Sequence, residues 1–196
     1  MNWVIVGLGN PGEEYSNTRH NTGRMAVENF ARMCENVVWK DNTKAKATVS
    51  KSLCEGESIT LVLPNTFMNK SGLAVMPYVK SIKAATQLVV VYDDLDLPLG
   101  KIKIAFDRGS GGHKGIESIA RTLKTKAFVR IRVGVSASTA GGTLKKPDGE
   151  DKVINFILGK FKPSEMESLK KIFKATNSAL TTIITRGYVA AMNECN

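Results

Sequence analysis

One histidine and two neighbouring aspartates are spaced so that they could carry out general-base chemistry. His20 follows a short apolar run at residues 4–6, and Asp93 and Asp94 follow another apolar run within residues 87–92. A neutral imidazole can accept a proton near neutral pH. A carboxylate bonded to its other ring nitrogen fixes the tautomer and stabilises the imidazolium that forms. These residue types predict a base that activates water.

Side-chain amides stand at comparable places in the chain. Asn10 follows the first apolar run, and Asn65 and Asn69 follow the run at 58–63. Ligands of open α/β sheets bind outside the carboxyl ends of the strands, so we expect these amides to share a site with His20. An amide donor can stabilise the oxyanion that forms when water attacks a carbonyl carbon.

The sequence favours direct attack by water over a covalent intermediate. It contains no G-x-S-x-G elbow, and no cysteine stands beside a histidine. Two other interpretations of residues 93–96 stay open, namely a solvated acidic loop and the magnesium site of a phosphohydrolase.

Three glycines within residues 7–12 match the dinucleotide-binding pattern G-x-G-x-x-G. That pattern requires a helix to begin at the glycines, so that its N-terminus meets the pyrophosphate. Here Glu13 and Glu14 place carboxylates where the phosphate would lie, and the apolar periodicity resumes at Met25. The segment Asn10-Pro11-Gly12 is instead a turn sequence that projects Asn10, which counts against a dinucleotide oxidoreductase.

The elements that must position these groups alternate along the chain. This alternation predicts one α/β domain over residues 1–196, with a twisted, mixed, mostly parallel sheet flanked by helices. We expect strands at 3–8, 45–53, 58–63, 87–92, 101–106 and 129–135. We expect helices at about 22–35, 70–83, 114–124 and 164–186. The Gly- and Pro-containing segment 136–150 predicts a mobile surface loop.

Cysteine and histidine usage limits the class of protein. The chain has three widely separated cysteines, no C-x-x-C and two histidines, so we expect neither a disulfide framework nor a metal site. No apolar run approaches the length that crosses a bilayer. We therefore expect a cytoplasmic protein that needs no membrane.

The positive charge is concentrated in one stretch. Residues 101–174 hold 17 Lys/Arg and 7 Asp/Glu, a surplus of ten, whereas residues 1–100 hold 10 of each. In the predicted strand 129–135, Arg130 and Arg132 alternate with apolar residues, so one face should be basic. The surplus could be a solvated surface that maintains solubility, but its segregation favours a polyanion partner, most simply nucleic acid.

Several segments in a fixed order resemble one enzyme family. They are Gly7–Gly12, Tyr15, Thr18–Asn21 with Gly23, Pro64–Gly72, Asp93–Pro98 with Gly100, Gly111–Ile116, Arg130–Gly134 and Val153–Phe161. Together they are similar to the motifs of bacterial-type peptidyl-tRNA hydrolases, over nearly the whole chain. The resemblance implies hydrolysis of the ester between a peptide and the 3′-terminal ribose of tRNA, which recycles prematurely released peptidyl-tRNA. It also implies a monomer without cofactor, metal or obligate protein partner.

The resemblance also implies roles for individual residues. His20 would be the general base, and Asp93 would hold it in its basic form. Asn10 and Asn69 would bind the substrate near the scissile carbonyl. The remaining residues implied to contact the peptidyl group or the tRNA are Tyr15, Phe67, Met68, Lys101, Lys103, Arg108, Lys114 and Arg132.

Position 114 departs from the family pattern. Many relatives have asparagine where this chain has Lys114, which keeps a donor and adds charge but loses the acceptor. We expect activity to survive this change. We interpret the neighbouring His113 as a structural residue at the start of a helix rather than as a second base. A binding protein for RNA without catalysis stays an alternative, although the presence of His20, Asn10, Asn69 and Asp93 counts against it.

Overall fold

One mixed sheet runs through the molecule, and helices cover both of its faces. The structure, a computed structural model, describes residues 2–139 and 141–196. The strands are β1 (Trp3–Gly7), β2 (Lys40–Asn42), β3 (Ala47–Cys54), β4 (Glu57–Pro64), β5 (Leu88–Pro98), β6 (Ile102–Phe106), β7 (Val129–Ser138) and β8 (Leu144–Lys145). The helices are α1 (Thr22–Ala31), α2 (Ser71–Val75), α3 (Ile82–Ala85), α4 (Lys114–Leu123), α5 (Glu150–Ile157), α6 (Met166–Arg186) and α7 (Tyr188–Cys195).

The predicted mixed sheet is confirmed, but only three of the seven pairings between its described strands are parallel, and these lie at its centre. The strand order is β2-β3-β4-β1-β5-β7-β6, and β8 pairs with β7. Strands β4, β1, β5 and β7 are mutually parallel, whereas the outer strands pair antiparallel. The central strands are buried on both faces, which is why they read as continuous apolar runs such as Val89–Val91.

Each face of the sheet has its own apolar core. On one face, Phe30 of α1 and Leu180 and Ile183 of α6 pack against Ile5 and neighbouring strand residues. On the other face, α2 and α4 cover Val6, Val90 and Tyr92. The carboxyl ends of β4, β1 and β5 therefore reach the same edge of the molecule, where the predicted polar groups lie.

Three predicted helices have different limits. Helix α1 ends at Ala31 rather than near residue 35. The predicted helix 70–83 is wrong as one element, because Pro77 stands inside it and cannot donate the main-chain hydrogen bond that a helix interior needs. The chain there forms α2, a 3₁₀ turn at Met76–Tyr78, and α3, which Ser81 caps by accepting from Ala84 N–H at 3.0 Å. The predicted helix 164–186 opens as a 3₁₀ turn at Pro163–Glu165 before α6 begins.

The segment 136–150 contains secondary structure where a surface loop was predicted. Strand β7 continues to Ser138, β8 pairs with its end, and α5 begins at Glu150. Residue 140 of this predicted loop lies outside the described residues. The elements β2, β8, α5 and α7 have no counterpart among the predictions.

The prediction that Arg130 contributes to a basic face of β7 is wrong. This side chain is fully buried and its guanidinium donates to the main-chain oxygens of Arg108, Gly109 and Lys126. Arg130 therefore anchors the loop that contains Arg108 and Gly109 instead of exposing its charge on the face of β7. Among the described residues, no helix combines the length and the apolar character that crossing a membrane requires.

Candidate active site

His20 and Asp93 meet at the carboxyl edge of the sheet. His20 lies in a 3₁₀ turn, Arg19–Asn21, that leads directly into α1, and Asp93 is the sixth residue of β5. The Nδ1 atom of His20 is 3.0 Å from both carboxylate oxygens of Asp93, and both residues are buried. An ionised carboxylate can only accept, so Nδ1 carries the proton and Nε2 is the free basic nitrogen.

A second histidine contacts the same carboxylate. His113 caps α4, because its Nδ1 atom accepts from the main-chain N–H groups of Gly115 at 3.2 Å and Ile116 at 3.4 Å. Its proton therefore lies on Nε2, which is 3.1 Å from Asp93 Oδ1. The predicted role of His113 at the start of a helix holds, but the residue is also a direct partner of Asp93.

The local electrostatics favour a stronger base. Burial lowers the pKa of His20, but the charge and hydrogen bond of Asp93 outweigh it and raise the pKa of His20 above the ordinary value. Burial raises the pKa of Asp93, and the two histidines outweigh that effect, so its pKa lies well below the ordinary range. Asp93 is therefore ionised at neutral pH, whichever form His20 takes.

Ring nitrogens of both histidines and a carboxylate oxygen of Asp93 lie within 4.8 Å of one another, a grouping that could ligate a metal. The hydrogen bonds already described use both nitrogens of His113 and Nδ1 of His20. A metal at this point would have to replace those hydrogen bonds. The donor set is therefore better suited to orienting His20 than to holding an ion.

Asn10 is held so that its amide nitrogen is the group left to donate. Asn10 Oδ1 accepts from Met68 N–H at 2.9 Å. The side chain of Asn21 bonds the main chain of Asn10 twice, accepting from its N–H at 2.9 Å and donating to its carbonyl at 2.9 Å. These three contacts fix the position of a donor beside the cavity.

A cavity of about 670 Å³ opens onto these groups. Of the residues predicted for the site, those that line it are Asn10, His20, Phe67, Met68, Asn69, Asp93, Asp94 and Lys114. The expectation that Asn65 shares the site is wrong, because its side chain accepts from Arg24 and donates to Thr48 outside the lining. Tyr15 is not in the lining but meets Phe67 edge to face, with ring centroids 6.4 Å apart. The opposite wall belongs to α5, through Val153, Ile154 and Ile157.

Lys103 and Arg132 lie beside the cavity rather than in its lining. They are directly paired across β6 and β7, so both side chains share a face of the sheet. Lys103 is exposed. Arg132 is tied to Asp94, with Nε 2.6 Å from Oδ2, so part of its charge is offset.

The glycines of the opening motif serve close packing rather than phosphate binding. A Cβ atom on Gly7 would lie 2.7 Å from the carbonyl oxygen of Gly23, and one on Gly9 would lie 2.9 Å from Asn21 Cγ. Gly12 adopts φ 108°, as the predicted turn requires. These features bring the His20 turn against β1.

Sequence reasoning missed three parts of the site. These are the contact of His113 with Asp93, the support that Asn21 gives to Asn10, and the wall formed by α5. A histidine directly before a helix is the signal for the capping role, but no local pattern reports its distance from Asp93.

The fold and the site define an α/β protein with a buried histidine–aspartate pair beside a cavity. Residues 4–196 match the family model described as peptidyl-tRNA hydrolase. The chain is 40% identical over 196 residues to a peptidyl-tRNA hydrolase from Herpetosiphon aurantiacus, covering 99% of this chain and 90% of that protein. It is also 40% identical to one from Thermotoga maritima, covering 98% and 96%.

A solved structure shows the same fold. The crystal structure of peptidyl-tRNA hydrolase from Acinetobacter baumannii has a TM-score of 0.85 and 32% identity, over 99% of this chain and 94% of that one. The chain belongs to the peptidyl-tRNA hydrolase family. The predicted fold class, family and enzyme class, including hydrolysis of peptidyl-tRNA, are thereby confirmed.

Proposed function

We propose that this chain cleaves the ester between a peptide, or an N-blocked amino acid, and the 3′-terminal ribose of tRNA by water that His20 activates. The observation that carries the proposal is the hydrogen bond from His20 Nδ1 to Asp93 at 3.0 Å. Because His20 lines the cavity, this bond leaves its Nε2 atom to accept a proton there. In this arrangement Nε2 accepts a proton from water as the oxygen attacks the carbonyl carbon. Asp93 stabilises the imidazolium, which then returns the proton to the departing ribose oxygen.

The amides and aromatic rings position the substrate. Asn10 offers an N–H donor towards the carbonyl or its oxyanion, and Asn69 offers a second amide at the rim. Phe67 is 58% exposed and contacts Tyr15, which suits it to stack on a base or an apolar side chain. Met68 adapts to varied groups, since its side chain is flexible and polarisable.

The basic segment 101–174 binds the tRNA backbone. Lys114 lines the cavity and Lys103 lies next to Arg132 on the adjacent strands. Contacts of these residues with phosphates would supply affinity without reading sequence, which suits an enzyme that accepts many tRNAs. We further propose that the enzyme is a cytoplasmic monomer of one domain, and that the reaction proceeds without metal or cofactor.

Turnover of blocked and unblocked aminoacyl-tRNA tests this proposal. We expect wild-type enzyme to release N-acetyl-phenylalanine from its tRNA and to act poorly on phenylalanyl-tRNA. The His20→Ala variant should lose about 10²- to 10⁴-fold in kcat while still binding tRNA. Unchanged turnover in this variant would refute the assignment of His20, and tRNA binding without any turnover by wild type would favour an RNA-binding function.

A chelator separates hydrolysis by His20 from hydrolysis that depends on a bound Zn²⁺. We expect EDTA to leave turnover unchanged, apart from any effect of Mg²⁺ on the tRNA, which re-addition of Mg²⁺ reverses. Loss of activity that Zn²⁺ restores but Mg²⁺ does not would contradict the proposal.

A further inference from the structure

Helix α5 forms a wall of the active-site cavity without belonging to the core. None of its residues is buried along Glu150–Ile157, and Ile154 is 43% exposed. Three of its apolar side chains, Val153, Ile154 and Ile157, line the cavity instead. A short helix without core contacts needs other contacts to hold it in place, because helix propensity alone stabilises so few residues only marginally.

The side chain of Arg19 contacts the chain immediately after α5. Its Nη1 atom donates to the carbonyl oxygens of Gly159 at 3.3 Å and Lys160 at 2.9 Å. Its Nη2 atom donates to both carboxylate oxygens of Glu165, at 2.9 and 2.8 Å. Arg19 directly precedes His20, and its side chain is 8% exposed. One buried guanidinium thus joins the His20 turn to the end of α5.

Aromatic and main-chain contacts surround this guanidinium. Its central carbon is 4.6 Å from the ring centroid of Phe156 and 5.1 Å from that of Phe161. The main-chain N–H of Arg19 donates to Gly159 at 3.1 Å, and Phe161 N–H donates to Asn17 at 3.3 Å. The planar fork of arginine can stack and form paired hydrogen bonds at the same time, which lysine cannot do.

We propose that Arg19 is a positioning residue that docks α5 against the His20 turn and thereby sets the apolar wall that binds the substrate. The His20 ring is oriented separately by Asp93, so the Arg19 contacts govern substrate binding rather than proton transfer. This inference rests on the proposed use of the cavity for the substrate. A purely structural role would change overall stability without changing binding selectively.

The Arg19→Lys variant tests this role because it keeps the charge and loses the fork. We expect KM for N-acetyl-phenylalanyl-tRNA to rise about tenfold, the factor set by losing one hydrogen bond to a charged group. We expect kcat to change by less than about twofold, since contacts equal in the ground and transition states affect KM alone. The acid limb of the pH–rate profile should stay where it is in wild type.

Hydrogen exchange reports on the docking of α5 without depending on catalysis. In Arg19→Lys, the amides of 153–160 should exchange about tenfold faster, while those of α4 keep their protection. Glu165→Gln should also speed exchange in 153–160. In the double variant, the loss of protection should be smaller than the sum of the two single losses, because the residues share one ion pair. Arg186→Lys is the matched control, since Arg186 pairs with Glu194 at the C-terminal end of the chain.

Two results would overturn the inference. One is unchanged KM together with unchanged exchange in 153–160. The other is a fall in kcat at constant KM, which would assign Arg19 to the orientation of His20. If Arg19→Lys does not fold, Glu165→Gln decides between the same outcomes. Binding of tRNA without any turnover by the wild-type enzyme would instead refute the proposed function and leave the exchange result standing.

Discussion

Asp93 accepts hydrogen bonds from two histidines at once, with His20 Nδ1 3.0 Å and His113 Nε2 3.1 Å from its Oδ1 atom. The capping bonds to His113 Nδ1 fix the proton of that ring on Nε2. Asp93 is therefore held from one side while it orients His20 from the other. This chain of contacts separates the roles of the three residues, so each substitution has its own expected result.

Replacing Asp93 by asparagine should weaken the base and move its titration. Since the carboxylate raises the pKa of His20 and burial lowers it, the pKa should fall below its ordinary value in Asp93→Asn. His20 is active when neutral, so the acid limb of kcat should move to lower pH, while kcat on the plateau falls about 10²- to 10⁴-fold. Asp41→Asn, on edge strand β2, is the control. An acid limb that stays at the wild-type pH would contradict this role of Asp93.

Replacing His113 by alanine should reduce both stability and rate, but less than loss of Asp93. The variant loses the cap of α4, which costs about 0.5–2 kcal/mol of unfolding free energy. Asp93 keeps its bond to His20, so kcat should fall by about tenfold, the effect of one net hydrogen bond. Chemical denaturation and single-turnover kinetics measure the two effects. His113→Asn should recover much of the stability, because asparagine is also a good cap, without recovering the contact with Asp93. A rate loss as large as that of Asp93→Asn would indicate that His113 itself takes part in proton transfer.

Lys103 should contribute to the salt dependence of tRNA binding. Each phosphate contact adds about 0.7 to 0.9 to the slope of log affinity against log salt, so Lys103→Gln should flatten the slope by about that amount. Asp94→Asn should steepen it, because it removes the carboxylate that offsets the charge of Arg132. Filter binding at several salt concentrations gives the slopes. Lys51→Gln on β3 is the control, because it makes the same charge change outside the basic segment and should leave the slope unchanged. An equal change of slope in both variants would contradict binding of the tRNA backbone at Lys103.

Gly23 sets how closely the His20 turn approaches the sheet. A Cβ atom at this position would lie 2.1 Å from the carbonyl oxygen of Val91, two residues before Asp93. Gly23→Ala must therefore push α1 away from β5, and we expect it to lower the unfolding free energy by about 3 kcal/mol or more. Gly109→Ala is the control, because nothing lies within 4 Å of its added Cβ. Equal stabilities of the two variants would show that the backbone contact at Gly23 relaxes without cost.

The elements that sequence predicted well have one strong periodicity of their own. Strand β1 and the first half of β5 are apolar runs buried on both faces, although β5 continues to Pro98 beyond its predicted end at residue 92. Strand β7 alternates apolar residues with arginines, and α4 and α6 each present one apolar stripe. Helix α5 also has apolar residues at helical spacing, Val153, Ile154 and Ile157, but the sequence does not reveal that they face a cavity rather than the core. The break at Pro77 could have been predicted from the sequence, since proline cannot continue a helix interior.

The sequence alone determined which groups are available for chemistry, because proton affinity and hydrogen-bonding capacity belong to the side chains of His20, Asp93 and Asn10. It also determined the family, through motifs spread over almost the whole chain. Only the tertiary structure decided that Asp93 has a second partner in His113, that Arg130 is buried, and that Arg19 reaches the end of α5. These facts depend on which strands pair and how closely helices pack, and such distances between residues far apart in sequence have no local signature.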